Sequence, residues 1–278
     1  MITRRLVLVS GIALTAAPLT ACASLSRIAL TGTLQQGSLL VGRTRPGSRV
    51  TVDDEAITVS PEGFFAWGLE WNRTAVARLS VRLPNGTIRT RRVLPIVRQY
   101  AVEIINGLPP ETVTPPPDAL DRIRHEHELI AAARRRESDL VWFADPLDWP
   151  APGIVSGVFG SRRIDNGKSM TPHMGVDVAN VEGTPIRAPA NATVSLSDDF
   201  YLEGGFTLLD HGHGVSTCYL HQSRRMVKAG DLVQRGDVIG MMGQTGRATG
   251  PHLHWAMNWF QVKLDPSLST RTALPPRT

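Results

Sequence analysis

Residues 251–255 read Pro251-His252-Leu253-His254-Trp255, and residues 173–177 read His173-Met174-Gly175-Val176-Asp177. Both alternate polar with apolar side chains, the period of an extended strand in which residues i, i+2 and i+4 share a face. His252 and His254 then face one side, with Leu253 and Trp255 on the other. His173 and Asp177 likewise share a face, and Val176 and Val178 point into the core. If the two strands are neighbours, three nitrogen and oxygen donors and a fourth polar group converge. A catalytic zinc asks for that arrangement: three protein ligands, one open position for water, and a base nearby.

Around these segments, from Pro150 to about Pro266, glycines recur at short intervals and no helical pattern of ordinary length intervenes. Many short strands joined by tight turns fit that rhythm, so the expected fold is mainly β. Another His-x-His pair, His211 and His213, sits in Asp210-His211-Gly212-His213-Gly214. With no apolar alternation to fix its side chains, that pair reads as a loop.

Upstream, from Thr31 to Gln99, short apolar alternations such as Leu79, Val81 and Leu83 are separated by turn residues, including Pro84-Asn85-Gly86. A small β-sandwich is expected over residues 30–105. It holds no cluster of His, Cys or carboxylates, so packing, spacing or the binding of a partner are its candidate roles. Residues 106–148 read as a proline-rich extended connector followed by one linking helix. Asp118 is expected to cap that helix, with Leu120, Ile123, His127 and Ile130 on one face and Arg134, Arg135 and Arg136 complementing its C-terminal dipole. His125 and His127 are two residues apart, which on a helix turns them about 200° from each other, so they cannot share an ion.

The chain has 278 residues, 42% hydrophobic and 20% charged, which excludes a disordered or multi-span membrane protein and suits two domains. Its net charge of +5 favours anionic surroundings. Residues 1–22 have the layout of a secretory signal: Arg4-Arg5, an apolar run from Leu6 to Pro18, then small residues up to Cys22. Leu19-Thr20-Ala21-Cys22 resembles a bacterial lipobox, and the arginine pair resembles a twin-arginine signal; an ordinary cleavable signal is the alternative. The expectation is an exported periplasmic or envelope protein attached to a membrane through lipid at Cys22. Cys218, beside Tyr219 and Leu220, reads as a buried, inert thiol.

Seven ordered motifs carry a family resemblance: Val158 to Arg162, His173 to Val178, Gly183-Thr184-Pro185, Tyr219-Leu220-His221, Val227 to Asp231, Gly236 to Gly240, and Gly246 to His254. Residues from Gly157 to about Asp265 resemble the LytM/lysostaphin family of zinc metalloendopeptidases, which hydrolyse peptide bonds in peptidoglycan. The resemblance implies a compact antiparallel β-sheet peptidase core, placed at residues 149–270, with a groove holding one Zn2+ per chain. It also implies His173, Asp177 and His254 as metal ligands, His252 and His221 as catalytic residues, and peptidoglycan peptides as substrate. Nucleic acid is not expected as a partner. A tyrosine that some members place shortly before the first ligand is missing here, where Thr171-Pro172 stands. Two alternatives compete: a non-catalytic wall-binding or hydrolase-activating protein of the same fold, and a biotinyl or lipoyl carrier domain. The second needs a lysine at its hairpin tip, and Met241-Met242-Gly243 offers none.

Overall fold

In the computed structural model of the chain, which describes residues 28–276, the strand His252–Trp259 runs inside an eight-stranded sheet. Val215–Gln222 pairs with it on one side and Val176–Ala179 on the other, both antiparallel. The alternation works as expected: Leu253, Trp255, Met257 and Val178 have no exposed surface and pack in one core. A second sheet, of Pro185–Arg187, Val238–Met241 and Arg224–Arg225, adds Ile186 and Ile239 to that core. The fold is mainly β. The expected export segment and the lipidation site at Cys22 lie outside the described residues.

The N-terminal strands form two facing sheets. One holds Leu30–Thr31, Leu39–Arg43 and Phe64–Gly68; the other holds Glu55–Ile57, Arg49–Val52, Ala77–Arg82 and Ile88–Val93. In Ala77–Arg82 the period is strict, with Ala77, Leu79 and Val81 buried and Arg78 and Arg82 exposed. Fully burying a side chain such as Leu79 or Phe65, both at 0% exposure, contributes about 1.5–3 kcal/mol each. Trp259 touches the cores of both bodies, and Arg98 bonds the buried Asp265 at 2.7 Å across the same junction.

Three elements depart from the sequence expectations. The strand Val102–Ile105, expected within the sandwich of residues 30–105, instead pairs in parallel with Arg162–Asp165 of the C-terminal body, along the edge of the groove. The connector then makes a short helical turn, Pro110–Val113, where extended chain was expected. The long helix is Pro117–Arg134, with Pro116 at its N-cap position and no side-chain cap; Asp118 lies in the first turn, where its charge still favours the helix dipole. Its buried stripe is Ala119, Ile123, Glu126 and Ile130, whereas Leu120 is 51% exposed. The physical reason is Glu126, which turns inward because it accepts bonds from the Arg122 guanidinium at 2.6 Å and the Tyr201 amide at 2.9 Å. Among the described residues no helix is long and apolar enough to cross a membrane.

Candidate metal centre

Antiparallel register sets Asp177 directly opposite His254 and Ala179 opposite His252. His173 is not on that strand. It precedes it, held by paired backbone bonds in which its amide donates to Ser161 and its carbonyl accepts from Gly160. The outcome is nevertheless convergence. His173 Nε2, Asp177 Oδ1 and His254 Nδ1 form a triangle with edges of 2.9, 2.9 and 3.0 Å. His252 Nε2 stands 3.9 Å from Asp177 Oδ1, and the His221 and His252 rings are 4.8 Å apart. His221 reaches this position through a backbone φ of +63°, in a strand whose pairing with Gly204–Gly212 carries irregularities. A non-glycine residue there costs about 1–2 kcal/mol, and such strain collects at functional sites. All five histidine and aspartate side chains singled out by the sequence thus meet in one place.

Hydrogen bonds determine where the imidazole lone pairs point. The Nδ1 atoms of His173, His221 and His252 face the carbonyls of Val158, Thr245 and Gly250 at 3.2, 2.8 and 2.8 Å. A carbonyl only accepts, so each Nδ1 donates, and in the neutral ring each Nε2 presents its lone pair to the cavity. The triangle is consequently short of hydrogens: His173 Nε2 and Asp177 Oδ1 are two acceptors 3.0 Å apart. Such a donor set suits a cation. A tetrahedral zinc site with bonds of about 2.0–2.1 Å has ligand–ligand edges near 3.3–3.4 Å, so this triangle needs to open by only about 0.4 Å per edge.

The electrostatics agree. Burial pushes the Asp177 carboxyl up, but the His173 and His254 side chains beside it outweigh that and hold the group well below the usual carboxylate range. Burial pushes His254 down to about 4, against the pull of Asp177. Burial also holds His221 well below an ordinary histidine, and the neighbouring His252 and His254 push the same way. These rings are kept neutral, the form that binds metal or takes up a proton.

Sequence reasoning missed several supporting residues. Arg163 bonds the second Asp177 oxygen at 2.6 Å and so orients the first toward the triangle. Its neighbour Arg162 belongs to a matched motif, but Arg162 is exposed. Gly157 and Gly175 leave room for the side chains: a Cβ on the first would stand 2.5 Å from Asp177 Oδ2, and on the second 2.5 Å from His254 Nε2. His211 and His213 stay outside the site, but His211 is no loop residue. It is fully buried at the end of the strand Gly204–Gly212, bonded to Asn191 and Thr217, because strand pairing continues up to Gly212. Cys218 is buried in the Ile130 cluster, as expected.

Two adjoining cavities, of about 450 and 350 Å³, flank the triangle. The connecting chain walls both: Glu103 and Leu108 line one, and His127 of the long helix lines the other.

Comparison with known proteins is consistent with this geometry. Residues 171–266 match the model of Peptidase family M23. The chain is similar to the peptidoglycan DD-endopeptidase ShyA of Vibrio cholerae serotype O1, 38% identical over 104 residues, covering 37% of this chain and 24% of that protein. It is also similar to the DD-carboxypeptidase/endopeptidase Mpg of Neisseria meningitidis serogroup B, 38% identical over 101 residues, with 36% and 23% covered. The chain therefore spans about a quarter of the length of these curated relatives. A crystal structure of a Pseudomonas aeruginosa protein assigned to peptidase M23 superposes with a TM-score of 0.67 at 29% identity, covering 87% of this chain and 96% of that one. Over residues 171–266 the chain therefore resembles a peptidase family M23 domain.

Proposed function

We propose that this chain is a zinc-dependent endopeptidase that hydrolyses the peptide cross-links of bacterial peptidoglycan. The observation that carries the reading is the triangle of three ligand-type atoms with His252 and His221 beside it, all five side chains lining two adjoining cavities. The two curated relatives, named as DD-endopeptidase and DD-carboxypeptidase/endopeptidase, support the substrate class.

His173 Nε2, Asp177 Oδ1 and His254 Nδ1 would hold the zinc. When bound there, zinc supplies Lewis acidity, polarising a carbonyl and acidifying water toward neutral pH. His252, with Nδ1–H fixed on Gly250 and its Nε2 lone pair facing the groove, accepts a proton from the attacking water and returns it to the leaving amine. His221 is fixed on Thr245 in the same sense and is kept neutral, so its Nε2 accepts rather than donates. It is therefore better suited to orienting water than to donating to an oxyanion. Arg163 keeps Asp177 ionised and aimed.

The N-terminal signal-like sequence supports export to the cell envelope with a lipid anchor at Cys22, which would bring the groove to the wall. The cross-link proposed is the amide between D-alanine and meso-diaminopimelate. Digestion of purified peptidoglycan with added zinc, then with chelator, tests the reading; uncross-linked peptides should appear only in the first case.

A further inference from the structure

The groove carries a cation that this chemistry does not use. Arg247 lines both cavities, the one with Asp177 and His252 and the one with His173, His221 and His254. Its backbone amide donates to the Leu202 carbonyl at 2.8 Å, which anchors the root of the side chain. Its guanidinium has no bonded partner among the described residues, and the charges that reach it, Asp165, Arg163 and Glu203, act through space. Arg163, the other arginine shared by the two cavities, is already engaged by Asp177 at 2.6 Å and Glu103 at 3.7 Å. A guanidinium offers five donors in a planar fork matched to a carboxylate, so an unengaged one in a partly desolvated groove is an anion site.

An independent observation concerns Asp165. It is 1% exposed, lines the cavity that contains His252, and both of its carboxylate oxygens are buried without a partner. Were Arg247 simply closed onto Asp165 as a structural ion pair, those oxygens would be satisfied. They are not, so Asp165 supplies negative potential that keeps the guanidinium in the groove while leaving its donors open.

We propose that Arg247 binds the carboxylate borne by the residue on the amine side of the cleaved bond, with Asp165 as the positioning counter-charge. The inference rests on the peptidase reading above and deepens it by naming what the groove selects. In a D-alanyl–diaminopimelate cross-link the amide nitrogen is attached to a carbon that also carries a free carboxylate. An anion therefore lies immediately beside the scissile nitrogen, where an ordinary peptide chain has a neutral amide. Arg247 reads that difference.

The test uses two cross-linked muropeptide dimers that differ only in this group, free carboxylate or carboxamide, with the wild-type chain, Arg247→Gln and Arg247→Lys. Cleavage is followed on zinc-loaded protein, and binding of the same dimers is measured on metal-free protein. The wild type should favour the carboxylate dimer by about 10- to 100-fold in kcat/KM, the range expected for a charge-assisted bidentate contact. In Arg247→Gln the ratio between the dimers should collapse toward one, with zinc content and melting temperature retained; Arg247→Lys should fall between. The same preference should appear in binding to the metal-free chain. Wild-type protein that binds and cleaves both dimers alike, that binds neither, or an Arg247→Gln variant that still discriminates, overturns the inference. Preferential binding of the carboxylate dimer with no cleavage of either would contradict the peptidase reading and leave this inference standing.

Discussion

The two β bodies of this chain use the same alternating strands to opposite ends. In Ala77–Arg82 of the N-terminal sandwich the polar face, Arg78 and Arg82, goes to water. In the C-terminal body the polar face goes inward, leaving His173, Asp177 and His221 at 3%, 7% and 6% exposure. Burying polar groups costs free energy unless partners or an ion satisfy them. The sandwich exposes its charged face, and the C-terminal body holds a strained His221 backbone and a close triangle of ligand-type atoms of the kind that suits a cation.

Substitutions in the two bodies should therefore fail in different ways. His254→Ala should abolish both zinc binding and cleavage, read as zinc per chain falling from about one toward zero, whereas Arg82→Ala, on the exposed sandwich face, should shift stability by no more than about 0.5 kcal/mol. His252→Ala and His221→Ala should keep zinc and lower turnover by about 10²–10⁴; zinc loss equal to that of His254→Ala would show that the roles are wrongly divided. Leu79→Ala should destabilise the fold by about 2–5 kcal/mol in denaturant titration without changing zinc affinity of the folded chain. Gly157→Ala should do the reverse, weakening zinc about 10- to 100-fold through displacement of Asp177, with little change in melting.

The smallest effect concerns the clasp between the long helix and the groove rim, where His127 Nε2 lies 3.4 Å from Glu203. The Glu203 hydrogen bond raises His127 above its ordinary value of 6.5. Burial pushes Glu203 up, but the His127 hydrogen bond outweighs it and the group is lowered. His127 contributes fully below about 6.5 and loses its share as pH rises through the raised value. Glu203 contributes above the ordinary glutamate range and loses its share as pH falls through its lowered value. Amide exchange in residues 117–134, corrected for intrinsic rates, should accelerate modestly as pH rises past the His127 titration, and His127→Ala should remove that step. His127 is half exposed, so solvent screening keeps the effect small.

Legibility followed the range of the interactions. His252, His254 and Asp177 were readable because strand period alone places them, and the register Asp177 to His254 completed the picture. Strand period accounts for only part of the placement of His173, since backbone bonds to residues 160–161 hold it rather than a strand. Arg163 carries no local signal; its meaning comes from Asp177, with which it pairs across the fold. Apolar counting placed Leu120 inside the helix stripe because it cannot see a buried, hydrogen-bonded Glu126. The two glycines flanking His213 suggested a loop where a strand buries His211.

Digestion of purified peptidoglycan by the chain with stoichiometric zinc, alongside chelator-treated protein and the His252→Ala variant, tests the central claim most directly. Chromatography should show new uncross-linked peptides from the zinc-loaded chain, absent with chelator and strongly reduced with His252→Ala. No release from several wall types by fully zinc-loaded protein would contradict it.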